Sequence, residues 1–541
     1  MREDSGRRMQ QLSMISEDSA TRLHEVELQD DSDGERLLRI ASYKKSEGTG
    51  ARIWRYCASW GVYTVLLGVV LVQAAALVIL ASNSDGQTQR FNVKEMSMSS
   101  TSMVNFETER AGVCSGHGVQ YTYGSTSRPV AWCDCFDCWS GRACDHPADA
   151  EDCQAQATSG DPLLFEEYWA SQERSDHGAD VRIDSAHKIG YSLMDKPALH
   201  FLSVEYQLQA AIRQLHALVG NLQTRGKQVV VGVGSTMLNA AAMYALSQNA
   251  LKANSSNGPA RVWAVKPAYG AYKSAAQFFQ SKLFEWTDDM PTGNAPPVVE
   301  FVTSPNNPDA SLREGRVAGA ARIHDSAYYW PHYVPITHAR EPTGSDVHIY
   351  TLSKLTGHAG TRVGWAVVES ADIAEGMRDF IKQAALHVPR ENQDRAYALL
   401  RHVVDTQGDI FAWASDKMRS KWDRVLPIFN KTDRFEVETQ LGPENLCSFM
   451  GIRKAPSPAY LWVRCTRQDD IALTADAQAN SGGYRGIELS GCAQVMKLAG
   501  IAGVPGSFYG VGNEYMRIEM LQRMEDFEIL LTLLEELVAA S

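Results

Sequence analysis

The sequence has no stripe of basic residues and no excess of positive charge. Its 541 residues include 52 Lys or Arg and 64 Asp or Glu, so the formal net charge is −12. A surface that binds nucleic acid needs clustered positive charge to contact phosphates. We therefore expect no nucleic acid among the partners of this protein.

Internal repeats are also missing outside one short segment, and cysteines are sparse elsewhere in the chain. Six of the ten cysteines lie between residues 114 and 153, and the other four are scattered as Cys57, Cys447, Cys465 and Cys492. The length leaves room for several domains and a large apolar core.

Charged residues are absent from residues 56–84, and residues 60–81 are almost wholly apolar, with Gln73 as the one strongly polar side chain. This run is long enough to cross the core of a bilayer as a helix. It is too long, and lies too far from the N-terminus, for an ordinary cleaved signal peptide. We predict a transmembrane helix at residues 56–82.

Basic residues precede this run, namely Lys44, Lys45, Arg52 and Arg55, whereas the charges that follow it are balanced. The positive-inside rule then keeps the N-terminus cytoplasmic and places the rest of the chain in the lumen or outside the cell. The sequence thus predicts a single-pass protein of the endomembrane system. The polar composition of residues 1–55 predicts a disordered tail. We predict a stalk at residues 83–112.

Six cysteines in one short segment on the oxidising side of a membrane predict a module with three disulfides at residues 113–158. These cysteines are Cys114, Cys133, Cys135, Cys138, Cys144 and Cys153. The run Cys133-Asp-Cys135-Phe-Asp-Cys138, with His117 and His146 nearby, could instead bind zinc. The predicted topology favours disulfides, and we expect no metal.

Strand and helix patterns alternate after about residue 159. Apolar, β-branched runs predict strands at residues 228–233, 261–265, 298–303, 321–324, 347–352 and 362–368. Alternation of this kind predicts an α/β fold with a mostly parallel sheet and helices on both faces. Sites in such sheets form beyond the carboxyl ends of the strands.

A lysine and an arginine follow the run at 347–352. Ser353 and Lys354 end the run, and Arg362 follows eight residues after the lysine across a turn that contains glycine. A lysine at such a place can form a Schiff base with a carbonyl cofactor, and the forked guanidinium of an arginine suits a phosphate. Alone, the pair could equally be a surface Lys and Arg beside a hairpin.

The other predicted strand ends also carry polar residues. Gly232-Val-Gly-Ser235-Thr236 opens a helix and predicts an anion site, although an ordinary capped helix remains an alternative. Tyr269 could stack on a flat ring, and Asn307 lies in a Pro-rich turn. Asp325 ends a hydrophobic strand, where a buried carboxylate needs a partner such as a pyridinium N–H. One cofactor uses all of these groups in this order, namely pyridoxal 5'-phosphate.

The ordered motifs Gly-Ser-Thr, Tyr, Asn-Asn-Pro, Asp-x-x-Tyr, Ser-Lys and Arg resemble those of fold-type I pyridoxal-phosphate enzymes. More narrowly, GDPLLFEEYW (160–169), IRQLHALVGN (212–221) and SKLTGHAGTRVGWA (353–366) resemble the family of alliinases and tryptophan aminotransferases. The cysteine order resembles the EGF-like domain of plant alliinases. The resemblance extends from residue 114 to about residue 519.

This resemblance implies a role for each matching residue. Lys354 would form the Schiff base and then act as general base at the substrate alpha carbon, and Asp325 would keep the ring nitrogen protonated. The ring would contact Asn307, Tyr328 and Tyr269. The phosphate would be held by Ser235, Thr236, Thr351, Ser353 and Arg362.

Two further matches concern the substrate and the partner subunit. Arg517 matches the arginine that binds the substrate carboxylate, with a strand-edge charge as the alternative. Tyr191 matches a tyrosine that reaches the phosphate of the neighbouring subunit, which implies a homodimer. The resemblance also implies a large domain at about residues 205–430 and a smaller α+β domain from about residues 159–204 and 431–541.

Three functions are compatible with these motifs. The first is an aminotransferase that acts on an L-amino acid and a 2-oxo acid, and GVGSTMLNAAAMYAL looks closer to that branch. The second is a carbon-sulfur lyase that eliminates a beta substituent from cysteine derivatives. The third is a membrane-tethered binding protein without activity. The presence of Lys354, Asp325 and Arg362 argues against it.

Two sequons for N-glycosylation, Asn254-Ser-Ser and Asn430-Lys-Thr, follow the predicted membrane helix. Both lie in segments whose composition predicts exposure. With the predicted topology, both asparagines would be lumenal.

Overall fold

The computed structural model describes residues 25–30, 36–41, 113–125, 128–149, 152–158, 160–172, 179, 181, 206–253, 258–292, 296–386, 388–467 and 491–539. The chain divides into two units, Met1–Ser97 and Met98–Ser541. In the first unit, strands β1 (Glu25–Asp30) and β2 (Arg36–Ala41) pair antiparallel. Both strands lie within residues 1–55, for which the sequence predicts a disordered tail.

The predicted transmembrane helix and stalk lie outside the described residues. No helix in the described part of the chain is both long and apolar enough to cross a membrane. The membrane anchor therefore stays a prediction.

The cysteine-rich module consists of short strands joined by disulfides. Strands β3 (Gly118–Ser125) and β4 (Arg128–Cys135) form a hairpin, and β5 (Trp139–Ser140) pairs with β6 (His146–Pro147). The disulfides are Cys114–Cys133, Cys135–Cys144 and Cys138–Cys153. Zinc needs free thiolates, so these bonds remove the zinc ligands that Cys133, Cys135 and Cys138 could have supplied.

A seven-stranded sheet forms the centre of the second unit, as the alternating pattern predicts. Its strands in chain order are β8 (Gln228–Val233), β9 (Ala260–Ala264), β10 (Phe284–Trp286), β11 (Val298–Thr303), β12 (Ala321–Asp325), β13 (Val347–Thr351) and β14 (Val363–Val368). The spatial order is β10-β9-β11-β12-β13-β14-β8, and only β14 runs antiparallel to its neighbours.

Helices cover both faces of this sheet because successive strand residues point to opposite sides. Val230 packs in the apolar cluster under one pair of helices, whereas Val229 and Val231 pack in the cluster under another pair. The helices are α1 (Glu166–Gln172), α2 (Tyr206–Val219), α3 (Gly234–Ala253), α4 (Ala271–Phe279), α5 (Leu352–Leu355), α6 (Ala371–Ala385), α7 (Arg390–Asp405), α8 (Asp409–Phe429), α9 (Cys492–Leu498) and α10 (Met524–Ala539). Helices α3 and α6 lie on the first face, and α2 and α7 on the second.

A smaller antiparallel sheet follows in the C-terminal region. Its order is β15 (Phe435–Val437), β18 (Tyr460–Cys465), β21 (Tyr515–Glu519) and β20 (Val504–Pro505), and a separate hairpin joins β16 (Asn445–Cys447) to β17 (Ile452–Lys454). A fourth disulfide, Cys465–Cys492, links β18 to α9. Cys447 is a buried free thiol.

The cysteine-rich module is attached to the smaller sheet region. Strand β7 (Ala155–Gln156), which follows the last module cysteine, pairs in parallel with β19 (Ile501–Ala502). Next to this pairing, the buried guanidinium of Arg523 forms ion pairs with Asp134 of the module and with Glu166 of α1. The module and the catalytic region thus share one packed interface.

Candidate active site

A cavity of about 340 Å³ lies at the carboxyl ends of the strands of the large sheet. Of the twelve residues that the sequence predicts for the cofactor and the substrate, eleven line it, and Tyr191 lies outside the described residues. The eleven are Ser235, Thr236, Tyr269, Asn307, Asp325, Tyr328, Thr351, Ser353, Lys354, Arg362 and Arg517. Residues from positions far apart in the chain therefore meet in one place.

Asp325 forms the floor of the cavity at the end of β12. Its carboxylate is buried and accepts hydrogen bonds from the hydroxyl of Tyr272 at 2.7 Å, the amide of Asn239 at 3.2 Å and the N–H of Ala327 at 3.1 Å. Burial raises the pKa of Asp325, and these three donors oppose the rise. A positively charged partner in the cavity would keep this carboxylate ionised.

Hydroxyls and one guanidinium also line the cavity. Ser235 and Thr236 lie in the first turn of α3, where free N–H groups favour an anion. Thr351 donates to the hydroxyl of Ser353 at 3.1 Å. A Cβ atom on Gly234 would lie 2.6 Å from the guanidinium of Arg362, so only glycine allows the arginine to lie over this turn.

The backbone of Arg362 has a φ of 53°, in the left-handed region that costs a residue with a side chain about 1 to 2 kcal/mol. The chain keeps this strained conformation at a residue whose guanidinium faces the helix terminus. The arrangement of donors is that of a phosphate site.

Lys354 lies on the short helix α5, at the edge of the cavity. Its amine donates a hydrogen bond to the carbonyl oxygen of Gly160. Burial lowers the pKa of this amine, and the carboxylate of Glu519 opposes the shift. The carbonyl of Lys354 accepts from the hydroxyl of Tyr333 at 3.1 Å, which fixes the position of the backbone.

Arg517 enters the cavity from β21 of the smaller sheet. Its guanidinium donates to the side-chain oxygen of Asn307 at 3.2 Å and to the carbonyl of Thr158 at 3.3 Å, and it lies 4.0 Å from the centre of the Tyr460 ring. Although Arg517 is only 4% exposed, its side chain lines the cavity. An arginine held in this way can receive a carboxylate with two parallel hydrogen bonds.

Sequence reasoning missed several residues that complete the site. Tyr272 and Asn239 bond to Asp325, Tyr460 contacts the hydroxyl of Tyr328, and Glu519 lies behind Lys354. Asn239 could have been noticed, because it is a polar residue one helical turn after Ser235, within a stretch (237–246) that is otherwise apolar. The others gave no local signal, since their partners are distant in sequence.

The cavity fits pyridoxal phosphate in three respects. It has hydroxyls and an arginine for a phosphate, a buried carboxylate for the ring nitrogen, and a lysine amine for the Schiff base. The predicted residues supply all three of these features in the positions where the structure places them. The fold and this site define a pyridoxal-phosphate-dependent enzyme of the fold-type I class.

Comparisons with known proteins narrow this class. The family model described as Allinase matches residues 155–538. Tryptophan aminotransferase-related protein 4 of Arabidopsis thaliana is 34% identical over 80% of this chain and 88% of its own. An alliin lyase of Allium cepa var. aggregatum is 29% identical over 79% of this chain and 91% of its own. The chain therefore belongs to the alliinase family.

A solved structure is also similar. It is an Escherichia coli protein described as having a methionine aminotransferase function, with 15% identity and a TM-score of 0.46 over 71% of this chain and 94% of that chain.

Proposed function

We propose that this protein is an aminotransferase that acts on an L-amino acid. The observation that carries the proposal is that Lys354, Asp325 and Arg517 meet in one cavity. An amine, a buried acid and a carboxylate-binding arginine are the three groups that a reaction at the alpha carbon of an amino acid requires.

Pyridoxal phosphate, when bound, withdraws electrons from the alpha carbon of the amino acid and so makes its hydrogen acidic. Arg517 binds the substrate carboxylate and orients the alpha C–H bond, while the amine of Lys354 accepts the proton from it. Asp325 would keep the proton on the ring nitrogen. Ser235, Thr236 and Arg362 would hold the phosphate.

Transamination and elimination share these steps and differ in where the proton goes next. In transamination the lysine would give the proton back and the amino group would be transferred, whereas in elimination a beta substituent would leave the substrate. The higher identity to a tryptophan aminotransferase-related protein supports transamination. The similarity to alliin lyases keeps a carbon-sulfur lyase acting on cysteine derivatives as the second candidate.

Product analysis separates the two activities. Purified protein is incubated with a panel of L-amino acids and a 2-oxo acid acceptor, and separately with S-alkyl cysteine sulfoxides. We expect a new 2-oxo acid whose formation requires the acceptor. Pyruvate and ammonia formed from the sulfoxides without any acceptor would identify the lyase instead. If no 2-oxo acid and no ammonia were formed, both proposed activities would be contradicted.

We also propose a compartment and an assembly. The catalytic region would be lumenal or extracellular, held by one helix at residues 56–82, and the protein would form a homodimer in which Tyr191 reaches the neighbouring phosphate. The topology is consistent with four disulfides and with the exposure of Asn430 at the end of α8. Asn254 lies outside the described residues.

Expression in a eukaryotic secretory system tests this topology. The band should shift on glycosidase treatment and again on reduction, and Asn430→Gln and Asn254→Gln should each remove part of the glycosidase shift. A protein that shows neither shift, with all module thiols open to alkylation, would reverse the topology.

A further inference from the structure

A second acidic group lies next to the catalytic lysine. Strand β21 alternates between two faces, so that Arg517 and Glu519 point to the same side, while Met516 and Ile518 pack in the core. Glu519 is only 1% exposed. A carboxylate this deeply buried is costly unless it has a partner.

The partners of Glu519 are incomplete. One carboxylate oxygen accepts the N–H of Leu521 at 3.2 Å. The other oxygen, Oε2, has no hydrogen-bond partner among the described residues, and it lies 3.9 Å from the guanidinium of Arg517. This distance is too long for a hydrogen bond, so the contact is electrostatic.

Gly160 shows how close the charged groups are to each other. A Cβ atom built on this glycine would lie 3.3 Å from Oε2 of Glu519, 3.7 Å from the amine of Lys354 and 3.9 Å from Arg517. All three groups therefore surround one point. At such separations in a buried site, a charge changes the proton affinity of its neighbours.

Positive groups outnumber negative ones around this point. The groups that act electrostatically on Glu519 are Lys354, Arg517, Lys421, Tyr328, Tyr333 and Tyr460, and those that act on Lys354 also include Asp161 and Arg362. Lys421 lies on α8, where its amine donates to the carbonyls of Met520 and Gln522. The buried carboxylate of Glu519 thus faces three basic side chains, those of Lys354, Arg517 and Lys421.

We propose that Glu519 is a positioning residue that acts through Lys354: its carboxylate stabilises the ammonium form that Lys354 adopts when it takes a proton from the substrate. This inference rests on the proposed function and deepens it. The alpha C–H bond breaks, its electron pair stays with the substrate and cofactor, and the proton forms a new N–H bond on Lys354. Glu519 supplies the negative charge that keeps the proton there until the lysine returns it.

Charge compensation explains why a carboxylate is needed here. Without Glu519, the charged groups that act on an ammonium at Lys354 would be the cations Arg517 and Arg362 and the exposed carboxylate of Asp161. Burial lowers the pKa of Lys354 and raises the pKa of Glu519, and each group opposes the shift of the other. Removal of the carboxylate should therefore make the lysine amine lose its proton at lower pH.

The test measures the lysine amine directly, in the full chain freed of cofactor and without substrate. Trace acetylation at a series of pH values, followed by peptide mass spectrometry, gives the pH midpoint at which Lys354 becomes reactive. We expect Glu519→Gln to lower this midpoint by about one pH unit. The exposed Lys431 serves as an internal reference whose midpoint stays the same in every variant.

Three further variants make the result specific. Glu519→Asp keeps the charge and should restore most of the wild-type midpoint. Glu436→Gln removes a carboxylate from β15 that pairs with Arg464 near the surface, and it should shift nothing. If Glu519→Gln does not fold, Glu519→Ser removes the same charge in a smaller side chain and should lower the midpoint in the same direction.

An unchanged Lys354 midpoint in a folded Glu519→Gln or Glu519→Ser variant overturns the inference. This result is independent of the proposed function, because the measurement uses neither turnover nor substrate. A protein that forms no 2-oxo acid but shows the shift would contradict the aminotransferase and leave the role of Glu519 intact. A protein that transaminates and shows no shift would support the aminotransferase and contradict the role of Glu519.

Discussion

Asn307 accepts a hydrogen bond from Arg517 at 3.2 Å, and this bond joins the two sheets of the catalytic region. Asn307 follows β11 of the large sheet, whereas Arg517 lies on β21 of the smaller one. The residue assigned to the cofactor thus holds the residue assigned to the substrate. The relative position of the two sheets therefore determines where the substrate carboxylate is bound.

Arg517→Lys should weaken substrate binding more than it slows turnover. A lysine keeps the positive charge but cannot hold Asn307 and a carboxylate with a planar fork. The loss of a charged hydrogen bond, worth about 1.5 to 3 kcal/mol, predicts a KM about 10- to 100-fold higher. Steady-state kinetics measure this, with Arg464→Lys on β18 as the matched control. An unchanged KM would remove Arg517 from the substrate site.

Asp325→Asn should leave the cofactor bound but poorly active. The phosphate contacts remain, whereas a neutral amide cannot stabilise positive charge on the ring nitrogen. We expect kcat to fall by about a hundredfold or more. Visible absorbance of the purified variant reports cofactor content, and kcat is measured on the same sample. A normal rate at full occupancy would mean that another acid performs this role.

Arg523→Ala should loosen the cysteine-rich module from the catalytic region. The guanidinium of Arg523 is 7% exposed, and its removal leaves Asp134 and Glu166 without their cation. We expect a loss of about 2 to 3 kcal/mol in the free energy of unfolding. Arg424→Ala breaks an exposed pair with Glu528 and should cost under about 1 kcal/mol. Denaturant unfolding compares the two, and equal losses would contradict the prediction.

The same interface should respond to pH. Burial, together with the nearby carboxylate of Asp526, raises the pKa of Asp137 from 3.8 to about 6, while Arg523 opposes the rise and Asp134 adds to it. A raised pKa favours the protonated form in the folded state. The contribution of Asp137 to stability is therefore complete below pH 3.8 and is lost as the pH rises through about 6.

Asp137→Asn tests this dependence, because an amide oxygen can still accept the N–H of Gln156 that Asp137 accepts at 2.8 Å. The unfolding temperature of the wild-type protein should fall relative to that of the variant between about pH 4 and pH 7. A constant difference across this range would show that Asp137 does not titrate at the interface.

The large sheet was predictable because its strands are short apolar runs that end in polar residues. Of the six predicted strands, 228–233 and 298–303 agree with the observed ones at both ends, three differ by one residue at one end, and 261–265 is displaced by one residue. Strand β10 was missed because it has only three residues, Phe284–Trp286, which is too short for a period to be recognised. The disulfide between Cys465 and Cys492 joins residues with no shared motif, so spacing could not pair them.

The candidate site was predictable where a residue follows a strand end and could not be predicted where a residue approaches from another element. Asp325 and Lys354 belong to the first group. Tyr460 and Glu519 belong to the second, since their distance from Lys354 depends on how the smaller sheet packs against the large one. The roles given to the individual residues stay predictions.

Borohydride trapping tests the central claim most directly. The purified protein is reduced with its cofactor in place, digested and analysed by peptide mass spectrometry. We predict one modified peptide, with the added mass of reduced pyridoxal phosphate on Lys354, and no such peptide from a folded Lys354→Ala variant. A cofactor attached to another lysine, or no attachment at all, would contradict the account.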